Sequence, residues 1–258
     1  MIALVDSHSH LDAEEFDPDR RAVLERARAA GVDWQIIPAV SVRGFEKLAA
    51  LCVAEAGLFP AYGLHPMHVG DHRPEDIGTL ATWLERERPV AVGECGLDRY
   101  VDGLDTDLQR HYFRRQLELA REFALPVVIH ARRAVEDVIV AIRTIGGLTG
   151  VVHSFSGSPE QARQLWNLGF LIGLGGPVTH ERAHRLRRLA ASMPIDFLLL
   201  ETDSPDQPSA GHRGERNEPA HLVDVLHAIA ALRGADPASI AAATTRNAGR
   251  LFGIPCTG

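Results

Sequence analysis

The sequence has 258 residues, of which 45% are hydrophobic and 24% charged, which is the composition of an ordinary globular protein and excludes disordered, collagen-like and coiled-coil classes. The formal net charge is −7. This charge argues against a protein that grips long duplex nucleic acid through its phosphates, because that affinity comes largely from counterion release by basic side chains.

Short apolar runs alternate with longer amphipathic stretches along the whole chain. The runs predict eight strands, at Leu4–His8, Trp34–Val40, Phe59–His65, Val90–Gly96, Pro126–His130, Gly150–His153, Phe170–Leu174 and Phe197–Thr202. The stretches between them predict helices at Pro18–Ala30, Arg43–Ala56, Pro74–Arg88, Asp107–Phe123, Ala134–Ile145, Pro159–Leu168 and His180–Ser192, with further helices after the last strand. Eight alternating units fit an α/β fold, a closed (β/α)₈ TIM barrel, and a doubly wound open sheet is the main alternative. No linker is visible, so we expect one domain over residues 1–258.

The first predicted strand leads into the sequence Asp6-Ser7-His8-Ser9-His10. Side chains two apart on a strand point to the same face, so His8 and His10 can converge on one metal ion. Asp6 has the same parity and could orient an imidazole. A lone His-x-His also arises by chance, so the pattern needs support from other strands.

Further ionisable residues stand near the ends of later strands. Glu94 shares a face with apolar residues of the fourth strand, and a buried carboxylate must be paired with a cation, either an arginine or a metal. His130 and His153 end the fifth and sixth strands, where a histidine is commonly a hydrogen-bonded core residue. Asp203 follows the eighth strand and could cap a turn, bind a metal or act as a general base.

These strand ends together supply imidazole and carboxylate ligands. The candidate metal ligands are His8, His10, Glu94, His130, His153 and Asp203. Such a donor set suits Zn, Mn, Fe or Ni, and Mg where carboxylates dominate. Six ligands exceed the roughly three protein ligands of one catalytic zinc. We therefore expect a binuclear site with two divalent metal ions about 3.5–4 Å apart.

Motifs along essentially the whole chain, in order, resemble the TatD family of metal-dependent hydrolases. They are DSHSHLD, GLHP at 63–66, GECGLD at 93–98, IHARRA at 129–134, HSFSG at 153–157, ETDSP at 201–205 and RGERNEP at 213–219. The segment ETDSPDQPSAG is similar to that of YjjV-type members. Two features depart from the commonest family pattern: Arg99 with Tyr100 after GLD, and Asp206-Gln207 after ETDSP. They put the substrate preference in doubt.

The resemblance implies a role for each candidate residue. His8 and His10 would hold the first metal, Glu94 would bridge, His130 and His153 would hold the second, and Asp203 would bind metal and serve as the base. Catalytic residues would thus be Asp203, Glu94 and His65, with His65 facing the substrate or, alternatively, serving a structural role. Arg213 and Asn217 would contact a substrate phosphate, since Arg offers a fork of donors suited to that anion. Their structural alternative is a clamp on the loop at 204–216.

The implied activity is hydrolysis of a phosphodiester by an activated water, as in a deoxyribonuclease. DNA would be the substrate, attacked from the 3′ end of a single strand. Two alternatives stay open: a metal-dependent hydrolase of esters or amides, such as an aminoacyl ester or a small metabolite, and a non-catalytic metal-stabilised barrel that binds a partner.

The remaining features concern location and assembly. Cys52, Cys95 and Cys256 form no paired motif, which indicates a reducing compartment. No signal peptide and no apolar run of about 20 residues is present. We therefore expect a cytoplasmic protein that does not enter the membrane. The sequence leaves the oligomeric state open, and a monomer is slightly favoured over an oligomer.

Overall fold

Eight parallel strands form the central sheet of the protein, which is described by a computed structural model over residues 3–255. The strands in this part of the chain are β1 Leu4–Asp6, β2 Val32–Pro38, β3 Leu58–Tyr62, β4 Ala91–Asp98, β5 Val127–Arg132, β6 Gly150–Val152, β7 Phe170–Leu174 and β8 Leu198–Leu200. Their order in the sheet is β1 to β8, as in the chain. A doubly wound sheet reverses its strand order at a switch point. The sequential order confirms the (β/α)₈ barrel class.

Helices connect the strands, as the amphipathic stretches predict. Within the described residues the α-helices are α1 Arg20–Ala29, α2 Phe45–Ala54, α3 Asp76–Glu87, α4 Thr106–Glu122, α5 Val135–Ile145, α6 Pro159–Asn167, α7 His184–Ser192, α8 Leu222–Arg233 and α9 Pro237–Phe252. Side chains cap several of them. Ser158 and Gln161 form a capping box on α6, which satisfies backbone N–H groups that a helix start leaves without partners. None of the described helices has the length and apolar character that crossing a bilayer requires.

Five of the predicted strands are too long at their carboxyl ends, whereas β4 and β5 continue two residues past their predicted ends and β7 ends where predicted. The predictions included His8, His65, His153 and Thr202, whereas β1, β3, β6 and β8 end before these residues. Beyond these strand ends, the regular hydrogen-bond ladder stops and the backbone makes individual hydrogen bonds, such as that from Ser7 N to Leu200 O at 3.0 Å. The helix predicted from His180 begins at His184, four residues later than predicted, and a 3₁₀ turn at Gly176–Thr179 lies before it.

The chain divides into two compact units. One comprises Met1–Ile37, Glu55–Leu58 and Ile172–Gly258, and the other Pro38–Ala54 and Phe59–Leu171. In the first, α8 and α9 cover β1 and β8, and Asn247 of α9 donates to Leu198 O at 2.9 Å. In the second, all eight residues of β4 are buried. The single domain over 1–258 stays a prediction, and Cys256 lies outside the described residues.

Two glycines of β4 allow β5 to approach closely. A Cβ at Gly96 would lie 2.0 Å from His130 O, and one at Gly93 would lie 2.7 Å from Val128 Cβ. Gly96 also has φ 145°, which L side chains rarely adopt. Glycine therefore lets the backbones of β4 and β5 meet between Glu94 and Asp98, next to His130.

Candidate metal centre

Three predicted ligands of the first unit lie together beyond the carboxyl ends of β1 and β8. We call His8, His10 and Asp203 the amino-terminal cluster. The Nε2 atoms of His8 and His10 are 3.2 Å apart, and Asp203 Oδ1 lies 3.5 Å and 3.7 Å from them. His8 and Asp203 are buried. Backbone bonds join the two segments, from Asp203 N to His8 O at 2.9 Å and from His10 N to Ser204 O at 2.8 Å.

The Asp6 carboxylate binds backbone N–H groups and a hydroxyl group, and not the imidazole that the sequence suggested. Its Oδ1 accepts from the backbone N–H groups of His8 and Thr202 at 3.2 Å and 3.0 Å, and its Oδ2 accepts from the Thr202 hydroxyl at 2.6 Å. Burial raises the pKa of Asp6 to about 7, although these hydrogen bonds oppose the shift. Asp6 therefore fixes the backbone on either side of the amino-terminal cluster.

Three predicted histidines of the second unit surround one carboxylate oxygen of a fourth predicted residue, Glu94. We call His65, Glu94, His130 and His153 the Glu94 cluster. Glu94 Oε1 lies 3.0 Å from His65 Nε2, 3.0 Å from His130 Nδ1 and 2.7 Å from His153 Nε2. Glu94 is buried, and no arginine is among these partners.

Hydrogen bonds from outside the Glu94 cluster fix which ring nitrogen of His65 and of His130 faces Glu94. His65 Nδ1 accepts from Met67 N at 3.2 Å, so the ring proton is on Nε2 and points to Glu94. His130 Nε2 lies 2.8 Å from Asp98 Oδ2, which turns Nδ1 toward Glu94. Burial lowers the pKa of His130, but the bonds to Asp98 and Glu94 outweigh it and raise the pKa overall. His65 thus acts as a donor, whereas His130 presents a potential ligand atom.

Asp98 contacts the Glu94 cluster and was not among the residues predicted for the site. Its Oδ1 accepts from the backbone N–H groups of Tyr100 and Val101, and its Oδ2 faces His130. Burial would raise the pKa of Asp98, but these bonds lower it to about 2. A carboxylate that orients a metal-binding histidine is common in metalloenzymes. The sequence does place Asp98 as a candidate, since residues four apart on a strand point to the same face and Asp98 therefore lies on the face of Glu94.

The amino-terminal cluster has the dimensions of a cation site. Ligands about 2.0–2.1 Å from a tetrahedral cation lie roughly 3.3 Å from one another. The three donor atoms of the cluster are 3.2–3.7 Å apart. In the Glu94 cluster, His130 Nδ1 and Glu94 Oε1 also lie within ligand-to-ligand distance. Imidazole with carboxylate is the donor chemistry of Zn, Mn, Fe and Ni, so both clusters fit a divalent metal.

The loop after β8 contains the predicted substrate contacts. Arg213 is exposed at the end of a 3₁₀ turn. Asn217 is buried, and its amide group donates to Thr202 O at 2.9 Å and Asp206 O at 2.8 Å. These are the bonds of a loop clamp, the structural alternative for Asn217. Gln207, which no prediction gave a role, donates from Nε2 to Asp203 Oδ2 and so holds the carboxylate of the amino-terminal cluster.

The fold and the donor clusters together define a metal-dependent hydrolase of the (β/α)₈ class. A family model described as TatD related DNase matches residues 5–253. The chain belongs to the TatD family.

Individual relatives agree with this assignment. The uncharacterized metal-dependent hydrolase YjjV of Escherichia coli is 38% identical over 97% of this chain and 98% of its own. The crystal structure of YjjV superposes with a TM-score of 0.95 at 37% identity, covering 99% of this chain and all of the other. A Cronobacter sakazakii protein named 3′-5′ ssDNA/RNA exonuclease TatD is 36% identical over 94% of this chain and 95% of its own.

Proposed function

We propose that this hydrolase cleaves phosphodiester bonds of DNA, as a deoxyribonuclease that removes nucleotides from the 3′ end of single strands. The observation that carries the proposal is the pair of imidazole and carboxylate clusters at the carboxyl ends of the strands, the face on which (β/α)₈ enzymes place their chemistry. The relative named as a 3′-5′ ssDNA/RNA exonuclease supports the substrate class.

We assign one divalent cation to each cluster, two per chain. His8, His10 and Asp203 would hold one, and Glu94, His130 and His153 the other. When bound, such a cation lowers the pKa of a water molecule to about 7 and offsets charge on the phosphate oxygens. The attacking water would be shared by the two cations or held by one of them.

The chain's own side chains complete the mechanism. Asp203 orients the attacking water and accepts its proton on the carboxylate, which Gln207 holds in place through Oδ2. Glu94 receives hydrogen bonds while it serves as a ligand, since His65 Nε2–H points at Oε1 from 3.0 Å. His65 therefore fixes the ligand geometry, and a direct contact between His65 and substrate stays a prediction.

Arg213 and Asn217 play different parts in this proposal. The exposed guanidinium of Arg213 can reach a substrate phosphate with a fork of donors. Asn217 supports the loop that carries Arg213 instead of contacting substrate, because its amide is engaged with backbone carbonyls.

The test is a nuclease assay on metal-loaded protein. Single-stranded DNA labelled at its 5′ end is incubated with the protein in Mg²⁺, Mn²⁺, Zn²⁺, Ni²⁺ or Fe²⁺, and a ladder that shortens one nucleotide at a time is expected. Asp203→Asn protein purified in parallel is the control for contaminating nucleases, and it should give no ladder.

The opposite outcome is equally clear. Protein that carries bound metal but cleaves no DNA with any of these ions is not a nuclease. A parallel panel of aryl esters and amides then identifies the chemistry, because turnover of esters alone supports the hydrolase of small metabolites.

A further inference from the structure

Beside the Glu94 cluster, two arginines pack on an exposed tyrosine. Arg132 ends β5 with its guanidinium carbon 3.6 Å from the centre of the Tyr100 ring, and the Arg133 guanidinium carbon lies 4.8 Å from it. Tyr100 is 48% exposed, and both arginines are exposed. We call these three residues the Tyr100 platform.

The platform is tied to the metal ligands through Asp98. The oxygen Oδ1 of Asp98 accepts from Tyr100 N at 2.8 Å, while Oδ2 faces His130 Nε2 at 2.8 Å. On the other strand, Arg99 N donates to Arg132 O at 2.9 Å. Arg132 lies two residues beyond His130, about 6.6 Å along a strand. The platform is therefore held in a fixed position close to His130 of the Glu94 cluster.

The charges of the platform are unbalanced. Arg99 and Arg110 both contact Asp137, at 3.1 Å and 3.7 Å. Arg132 and Arg133 have no such ion pair with any carboxylate in residues 3–255. Two positive charges thus stand together on a protein whose net charge is −7, which favours an anionic ligand at this place.

The geometry also selects the kind of anion. A guanidinium that stacks on an aromatic ring uses its face for that contact and keeps its N–H donors in the plane of the group. Those donors match the paired oxygens of a phosphate. The tyrosine ring restricts the guanidinium before binding, so less side-chain entropy is lost when the phosphate arrives.

We propose that the Tyr100 platform binds a phosphate of the nucleic acid strand next to the one that is cleaved. This inference rests on the proposed nuclease function and deepens it, because it explains why a polynucleotide would be preferred over a diester with a single phosphate. Arg132 is the primary contact, Tyr100 positions it, and Arg133 adds charge.

The test compares two substrates that share the cleaved bond type. Bis(p-nitrophenyl) phosphate carries only the scissile phosphate, whereas a single-stranded oligonucleotide also carries its neighbours. The measured quantity is the ratio of kcat/KM for the oligonucleotide to kcat/KM for the small diester. In Arg132→Gln this ratio should fall about 10-fold or more, mainly through KM for the oligonucleotide, since hydrogen bonds to charged groups have that weight.

A matched variant controls for loss of charge. Arg114→Gln removes a guanidinium from the exposed side of α4, where Glu118 keeps its contact with Arg115, and it should retain the wild-type ratio. Tyr100→Leu should lower the ratio less than Arg132→Gln. If Arg132→Gln lowers kcat/KM equally for both substrates, the residue acts through His130, and the proposal is overturned.

A binding measurement separates this inference from the nuclease assignment. If wild-type protein cleaves neither substrate, the proposed function fails, and fluorescence anisotropy of labelled single-stranded DNA on metal-loaded protein decides about the platform. Arg132→Gln should then raise Kd about 10-fold and reduce the slope of log K against log salt by about 0.7, the value for one phosphate of a single strand. An unchanged Kd and slope would overturn the platform.

Discussion

The two interpretations of Asn217, loop clamp and substrate contact, differ in a measurable way. The side chain is only 1% exposed. Its amide donates to Thr202 O and Asp206 O, and its carbonyl accepts from Glu218 N and from His221 Nδ1, both at 3.0 Å. Asn217→Ala removes these four bonds. At about 1 kcal/mol of net stability for each bond, the loss is about 4 kcal/mol.

Thermal unfolding of metal-loaded protein measures this loss. For a chain of this size, 1 kcal/mol corresponds to roughly 2–4 °C, so Asn217→Ala should lower Tm by roughly 8–16 °C. Arg213→Gln, an exposed change in the same loop, is the control and should change the free energy of unfolding by less than about 0.5 kcal/mol. An Asn217→Ala protein with wild-type Tm and a raised KM would refute the clamp and restore the substrate contact.

Three further predictions concern the metals and one histidine pair. His10→Gln should reduce bound metal by one ion per chain in elemental analysis, and loss of both ions or of none would contradict separate clusters. Asp98→Asn should weaken metal binding about 10–100-fold in a chelator titration, because a histidine loses its orienting carboxylate; unchanged affinity would remove that role. Burial and the stacked His212, 3.5 Å away between ring centres, lower the pKa of His221. The unfolded chain then binds its proton first, so stability falls as pH drops below about 6.5, and His212→Gln should raise the NMR-detected pKa of His221; an unchanged value would contradict the coupling.

The order of strands and helices could be predicted from the sequence because it depends on local patterns. Apolar runs such as Val127-Val128-Ile129 indicate buried parallel strands, and β5 lies where that run predicts it. Strand ends could not be predicted as well. β1 ends at Asp6, where the Asp6 carboxylate accepts from Thr202 N and Ser7 N donates to Leu200 O, and no local sequence pattern indicates these contacts.

The same distinction applies to the candidate site. The spacing of two residues predicts that His8 and His10 point to the same side, and in the structure their Nε2 atoms are 3.2 Å apart. Alternation on β4 also places Asp98 on the face of Glu94, but its contact with His130 could not be predicted, since His130 belongs to β5. Gln207 had no sequence signal, because it reaches Asp203 from an irregular loop where both residues have positive φ, 54° and 57°.

At the carboxyl end of β4, the proposed metal site and the proposed phosphate site share one carboxylate, that of Asp98. Alternate residues on one face are Glu94, Gly96 and Asp98: an acid, a gap that admits β5, and a second acid. Asp98 then holds both His130 and the turn that carries Tyr100. We therefore expect a change at Asp98 to disturb the proposed metal site and the platform together, whereas the Arg132 side chain packs on Tyr100. Arg132 is for that reason the residue whose substitution can separate substrate recognition from chemistry.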